Sequence, residues 1–184
     1  MNRSLPVPKI DGLKIFQLKI HGDRRGFFTE MYKSSDPEMA SLFSTFSQDN
    51  HSRSRPGVVR GLHYQTAPSQ GKLIRVVRGH ILDVVVDLRK DSSTFGRYFS
   101  IEISDENGIL LWIPRGCAHG FSVLGSEDAD IIYKINEPYS PKTETGIRYD
   151  DPDLGIDWKI ALPILSEKDM DLPTFREYAK QPLF

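Results

Sequence analysis

Short apolar runs, rich in β-branched and aromatic side chains, constrain the fold of this chain more than any other feature. Glycine, aspartate, asparagine and serine fill the intervals between the runs. Many short strands separated by such turn residues are typical of a β-sandwich or barrel. The sequence therefore predicts an all-β jelly roll. The predicted strands are Leu13–Ile20, Leu73–Val77, Ile81–Leu88, Tyr98–Ile103, Ile109–Ile113 and Ile131–Ile135.

Helical signals are few and short. Asp36 and Pro37 predict the N-cap and first turn of a helix that extends toward Phe43. Two more short helices are expected over Pro163–Lys168 and Thr174–Lys180. We find no internal repeat, low-complexity tract or linker, so residues 1–184 are expected to form one jelly-roll domain with a few short peripheral helices.

Composition narrows the class of protein. The chain of 184 residues is 39% hydrophobic and 27% charged, which is enough for a substantial core. Its 24 basic and 25 acidic residues give a formal net charge of −1, so we expect neither nucleic acid nor a membrane surface as a partner. The single cysteine, Cys117, fits a reducing compartment. Residues Met1–Pro6 lack the apolar run of a signal peptide, and we expect a cytoplasmic protein.

Two histidine-containing segments indicate the chemistry of a site. Gly61–Gln65 reads GLHYQ, and Pro114–His119 reads PRGCAH. They resemble the two motifs of cupin barrels, in which imidazole and carboxylate side chains bind a metal ion. Here Gln65 replaces the second histidine of the first motif and Lys72 replaces its glutamate. Because an ammonium group repels a cation, we interpret the cavity that these two motifs would line as an organic acid/base site and expect no metal ion there.

A longer set of segments resembles the dTDP-4-dehydrorhamnose 3,5-epimerase family. The segments occur in family order over most of the chain. They are Gly22–Glu30, Gln48–Ser52, Gly57–Gln65, Gly71–Leu73, Asp83–Arg89, Thr94–Gly96, Ile113–Phe121, Tyr133–Lys134, Tyr139–Pro141, Gly146–Ile147, Asp151–Pro152, Gly155–Trp158 and Ser166–Asp169. The resemblance implies a cupin-type double-stranded β-helix, usually a homodimer, that uses no cofactor.

The family substrate is dTDP-4-dehydro-6-deoxy-D-glucose, whose C3 and C5 both flank the C4 ketone. Removing either proton gives an enolate, so inversion needs a base, an acid on the opposite face and a group that stabilises the oxyanion. His63 resembles the family's base, and Asp169 resembles the carboxylate that sets the tautomer of that base. Lys72 resembles the lysine beside the C4 oxygen, and Tyr133 resembles the acid.

The residues by themselves leave other interpretations open. An isolated histidine is more often a hydrogen-bonded core residue than a base. Asp169 could be a helix cap or an exposed turn residue, and Lys72 could be an exposed residue at the start of a strand. Alternation places Tyr133 on the same strand face as Ile131 and Ile135, where it could be a core tyrosine. Alternative functions are a single-centre epimerase or ketoisomerase on a related sugar nucleotide, a metal-binding cupin and a sugar-binding module.

The resemblance also implies a set of substrate-binding residues. Guanidinium groups suit diphosphate oxygens, and Tyr139 matches the tyrosine that stacks on thymine. The full set consists of Arg25, Glu30, Gln48, Asn50, Arg60, Lys72, His119, Tyr139, Glu144 and Lys168. We therefore expect a dTDP-sugar as the partner.

Overall fold

The computed structural model describes residues 3–4, 10–42 and 45–184, and strands dominate these ranges. The strands are β1 (Arg3–Ser4), β2 (Lys14–Gln17), β3 (Ile20–Asp23), β4 (Gly26–Thr29), β5 (Gln48–Ser54), β6 (Val59–Gln65), β7 (Lys72–Arg78), β8 (His80–Asp87), β9 (Tyr98–Ser104), β10 (Ile109–Ile113), β11 (Cys117–Leu124), β12 (Ala129–Ile135) and β13 (Glu144–Gly146). The helices are α1 (Pro37–Ala40), α2 (Glu167–Met170) and α3 (Phe175–Lys180). The prediction of an all-β chain with short helices is confirmed.

Two antiparallel sheets face each other. One has six strands in the order β1-β2-β10-β7-β12-β5, and the other has five in the order β13-β6-β11-β8-β9. From β5 onward the chain crosses between the sheets at almost every connection, which is the jelly-roll arrangement. The predicted strand over Leu13–Ile20 is wrong in extent, because β2 ends at Gln17 and Ile20 begins β3.

Apolar side chains from both sheets fill much of the space between them. Ile74, Val85, Leu111 and Ile131 are each at most 1% exposed within this cluster. Full burial of such a side chain stabilises the fold by roughly 1.5–3 kcal/mol. The cluster therefore holds the two sheets at a fixed separation, and Ile131 also borders the polar cavity described below.

The C-terminal segment covers the outer face of the five-stranded sheet. Trp158 and Tyr178 are buried there, and their polar atoms donate to the carbonyl oxygens of Tyr149 and Leu88 at 2.7 and 2.8 Å. A polar atom buried without a partner is costly, so these bonds allow the aromatic rings to pack inward.

The helix predictions are confirmed in part. Asp36 caps α1, although Phe43 lies outside the described residues. Thr174 caps α3 through a reciprocal capping box. The helix predicted over Pro163–Lys168 is wrong in its first half, because Ile164 forms a parallel bridge with Val58 and α2 begins only after Ser166. Within the described residues, no helix is long and apolar enough to cross a membrane.

Candidate active site

A cavity of about 400 Å³ opens between the two sheets. The five-stranded sheet contributes His63 from β6 and His119 from β11, which are direct partners across the two strands. The six-stranded sheet contributes Lys72 from β7 and Tyr133 from β12. The predicted base and the predicted acid therefore stand on facing walls of one cavity.

His63 is paired with a buried carboxylate. Its Nε2 lies 2.5 Å from Oδ1 of Asp169, whose side chain is 4% exposed. Ser166 caps helix α2 and accepts the backbone N–H of Asp169, which fixes the start of the helix. Burial acts to raise the pKa of Asp169, but the hydrogen bond and charge of His63 outweigh it and hold the pKa below its ordinary value. Asp169 is thus an ionised partner of the imidazole, not an exposed turn residue.

Lys72 begins β7 and points into the same cavity. Burial lowers the pKa of its ammonium group to about 8, whereas the charges of Glu144 and Asp83 act to raise it. Most of the lysine therefore remains charged at neutral pH. Among the residues that the structure describes, no three His, Cys, Asp or Glu side chains are grouped so as to hold a metal ion.

Tyr133 lies on the cavity-facing side of β12. Ile131 and Ile135 line the cavity with it, so the face predicted from alternation is confirmed. Burial raises the pKa of Tyr133, the charge of Glu144 raises it further, and Arg60 acts in the opposite direction. The phenol is therefore protonated at neutral pH and can donate a hydrogen bond or a proton.

A second histidine–carboxylate pair lies beside the first, and sequence reasoning gave its carboxylate no role. Oδ2 of Asp83 lies 2.9 Å from Nε2 of His119, and Asp83 is fully buried. Its other oxygen has no hydrogen-bond partner among the described residues. The one available signal was a single carboxylate inside the otherwise apolar run Ile81–Val86. A buried carboxylate needs a partner, and here that partner is an imidazole.

Polar residues at the cavity mouth form a connected network. The Tyr139 hydroxyl donates to Glu144 Oε2 at 2.9 Å, and Lys168 forms an ion pair with the same oxygen. This hydrogen bond to Glu144 raises the pKa of Tyr139. Gln48 accepts the backbone N–H of Tyr139 at 3.1 Å and donates to Asn50 Oδ1 at 2.7 Å. Arg60 also lines the cavity.

Two predicted substrate contacts lie elsewhere. Arg25 is in the β3–β4 hairpin, with its side chain 83% exposed and paired with Asp23, and Glu30 follows β4. Neither residue lines the cavity. Strands β3 and β4 form a two-stranded sheet of their own, on which Phe27 and Phe28 are 65% and 68% exposed. Within one copy of the chain, the cavity is therefore built without Arg25 and Glu30.

Together, the fold and the cavity define a cupin-type jelly roll whose cavity is lined by two imidazoles, an ammonium group and a phenol. The family model described as dTDP-4-dehydrorhamnose 3,5-epimerase matches residues 8–177. The chain belongs to this family.

Several relatives are similar to this chain, in sequence or in structure, over nearly its whole length. The dTDP-4-dehydrorhamnose 3,5-epimerase of Shigella flexneri is 47% identical over 165 residues, which cover 89% of this chain and 91% of the relative. The dTDP-6-deoxy-D-glucose-3,5-epimerase of Legionella pneumophila Philadelphia 1, solved in complex with dTDP-4-keto-L-rhamnose, is 44% identical with a TM-score of 0.90, covering 96% and 94% of the two chains. ChmJ, a 3'-monoepimerase from Streptomyces bikiniensis solved in complex with dTDP-quinovose, is 32% identical with a TM-score of 0.87, covering 94% and 88%.

Proposed function

We propose that this protein is a dTDP-4-dehydrorhamnose 3,5-epimerase, an isomerase of dTDP-rhamnose biosynthesis. It converts dTDP-4-dehydro-6-deoxy-D-glucose into dTDP-4-dehydro-L-rhamnose by inverting C3 and C5. The observation that carries this proposal is the placement of His63 and Tyr133 on facing walls, with Lys72 in the same cavity. Such a cavity can hold the sugar ring with a base on one face and an acid on the other.

The reaction at each carbon is a proton exchange. His63 removes the proton from the carbon next to the C4 ketone, and the electrons of the broken C–H bond form an enolate. Asp169 stabilises the imidazolium, and the Lys72 ammonium opposes the negative charge that develops on the C4 oxygen. Tyr133 returns a proton to the same carbon from the other face, which inverts it. Substrate and product are isomers, so the reaction needs no oxidant or reductant.

The cavity mouth suits the nucleotide part of the substrate. Arg60 and Lys168 carry positive charge toward the diphosphate, and Tyr139 presents a ring on which thymine can stack. Gln48, Asn50 and Glu144 supply polar contacts to the sugar and the base, and His119 lines the cavity beside His63.

We also propose that the chain, as a single domain over residues 1–184, acts as a homodimer in the cytoplasm. Phe27 and Phe28 would be costly to leave in water, and a second copy is the occupant that explains their exposure. In the dimer the β3–β4 hairpin packs on the partner, so that Arg25 and Glu30 serve the cavity of the second copy. The unpaired, buried Cys117 fits the reducing cytoplasm.

Proton NMR in D₂O tests the reaction directly. With dTDP-4-dehydro-6-deoxy-D-glucose as substrate, we expect the C3–H and C5–H signals both to disappear as deuterium enters, and the product to have the rhamno configuration. Deuterium and inversion at one carbon alone would instead identify a single-centre epimerase. The fold does not distinguish the two, because the monoepimerase ChmJ superposes with a TM-score of 0.87.

A further inference from the structure

Gln65 occupies the position at which the metal-binding motif has its second histidine, and the proposed reaction gives it no role. It is the last residue of β6 and is 3% exposed. Its Nε2 donates to the carbonyl oxygens of Pro68 at 2.7 Å and Pro138 at 3.1 Å. Its Oε1 accepts from the backbone N–H of Ser140 at 2.7 Å and from Gln70 at 3.1 Å. Both donor hydrogens and both acceptor positions of this buried amide are therefore used.

These bonds converge on the segment that carries Tyr139. Gln70 donates to the carbonyl oxygens of Glu137 and Pro138 at 3.1 and 3.3 Å, and Gln48 accepts the N–H of Tyr139. Side-chain amides thus hold the backbone at each residue from 137 to 140. A loop held in this way has fewer accessible conformations, and residues on it are presented in a fixed position.

We propose that Gln65 is a positioning residue for the nucleotide end of the substrate, acting through the backbone of residues 137–140. It holds the ring of Tyr139 at the cavity mouth in the position that stacks on thymine. The inference rests on the proposed function, in which Tyr139 contacts the base. It also explains the replacement of a histidine at this position, because an imidazole cannot donate two hydrogen bonds and accept two others at once.

The test is a double-mutant cycle with dTDP as the probe and calorimetry as the readout. Gln65→Leu should weaken dTDP binding roughly 10-fold, because the loop loses its hydrogen bonds to Gln65 and must then be ordered when dTDP binds. Its effect should fall on KM, with little change in kcat, because the sugar end of the site is untouched. The double variant with Tyr139→Ala should bind dTDP no more weakly than Tyr139→Ala alone, because Gln65 acts only through Tyr139.

A matched control is Gln17→Leu, which removes another partly buried glutamine whose Nε2 donates to Asn107 O at 2.9 Å and which does not line the cavity. It should bind dTDP like the wild type. Amide hydrogen exchange at Tyr139 and Ser140, whose N–H groups are held by side-chain amides, should accelerate in Gln65→Leu and not in this control.

Unchanged dTDP affinity in Gln65→Leu, or losses that multiply in the double variant, would overturn the inference. If Gln65→Leu does not fold, Gln65→Met decides instead, because the longer side chain fills the space of the amide without its hydrogen bonds to the loop. Wild-type dTDP affinity in that variant would overturn the inference. A wild type that binds no dTDP would contradict the proposed function itself and this inference with it.

Discussion

Burial and neighbouring charges set the protonation states of Lys72 and Asp169, and both states are the ones that the proposed reaction requires. Asp169 is kept ionised by its bond to His63, which occupies one ring nitrogen of the histidine. In the proposed reaction the other ring nitrogen takes the substrate proton. Lys72 is largely charged at neutral pH, yet burial brings its pKa down to about 8. An ammonium group held where an enolate oxygen develops stabilises the transition state more than the ground state.

Lys72→Met should therefore lower kcat more than it raises KM. Loss of one group that stabilises an oxyanion typically costs about 10²–10³-fold in kcat. Steady-state kinetics on the dTDP-sugar measures both constants, with the exposed Lys33→Met as the matched control. An effect confined to KM would make Lys72 a ground-state contact of the substrate.

The pKa of Lys72 should also set the upper limit of the pH range in which the protein is active. In the proposed reaction the charged form of Lys72 is the active one, so kcat/KM, which reports the free enzyme, should fall as the pH rises through about 8. The free energy of unfolding changes in the opposite direction. Folding lowers the pKa of Lys72 from 10.5 to about 8, so the unfolded chain binds more protons than the folded chain between these pH values. Lys72 therefore makes the fold more stable as the pH rises through this interval. A fall in kcat/KM over this pH interval, with no loss of folded protein by circular dichroism, would be the result expected for Lys72.

Metal removal should leave turnover unchanged. Lys72 and Gln65 stand where the cupin motif supplies a carboxylate and an imidazole, and the Gln65 amide is fully engaged by the loop. Prolonged dialysis against a chelator, followed by an assay with and without added divalent metals, measures this. Activity that is lost on dialysis and restored by a metal would favour a metal-binding cupin instead.

Strands β6 and β11 approach each other closely at two glycines, which brings His63 and His119 side by side. Gly61 has φ of +124°, and a Cβ built on it would lie 2.6 Å from Gly120 Cα and 2.9 Å from His119 O. Backbone atoms cannot move aside as a flexible side chain can. Gly61 is therefore required for the strand spacing that builds the base side of the cavity.

Gly61→Ala should destabilise the fold by roughly 2–4 kcal/mol, because backbone strain and overpacking add. Urea unfolding followed by circular dichroism measures the change. Gly125→Ala is the matched control, since Gly125 also has a positive φ, of +74°, but a Cβ there meets nothing within 4 Å. Equal losses in the two variants would show that the close approach of the strands contributes little.

Runs of apolar residues in the sequence predicted the strands that are rich in apolar side chains. Strands in which polar residues dominate or interrupt the run were missed. Strand β5, for example, reads QDNHSRS, and its polar side chains hide it from any search for apolar runs. Strands β6 and β11 are interrupted by His63 and His119 for the same reason. The polar residues that line the cavity from β5, β6 and β11 are thus the ones that obscure these three strands.

The site depended on the family resemblance, because its pairs are distant in sequence. His63 and Asp169 are separated by 106 positions, and no local rule brings a helix near the C-terminus onto β6. The partner of Asp83 and the amide contacts of Gln65 depend on strand register and loop placement. These contacts could be identified only from the three-dimensional structure.

The exposed β3–β4 hairpin is the part of the chain that we propose forms the dimer contact. Replacing Phe27 and Phe28 together by Ser should convert a dimer into a monomer and lower the epimerisation rate, since Arg25 and Glu30 would no longer reach the partner's cavity. Light scattering should give twice the 21.0 kDa mass of the chain for the wild type and 21.0 kDa for the variant.

Leu162→Ser is the control for this experiment, because Leu162 is an exposed apolar residue, at 88%, outside the hairpin. It should remain dimeric and active. A monomeric wild type, or a dimeric double variant with full activity, would contradict the proposed assembly.

The proposed removal of a proton by His63 and return of a proton by Tyr133 is tested most directly by isotope exchange in the Tyr133→Phe variant. Deuterium at C3 and C5 and the configuration of the product are followed by NMR in D₂O, beside the wild type and His63→Ala. Because His63 and Lys72 remain in Tyr133→Phe, deuterium should enter the substrate from the side on which the proton left, while the rhamno-configured product largely disappears. His63→Ala should show neither exchange nor inversion. Doubly inverted product at near wild-type rate from Tyr133→Phe would contradict the assignment of Tyr133 as the acid, and wild-type exchange in His63→Ala would contradict the assignment of the base.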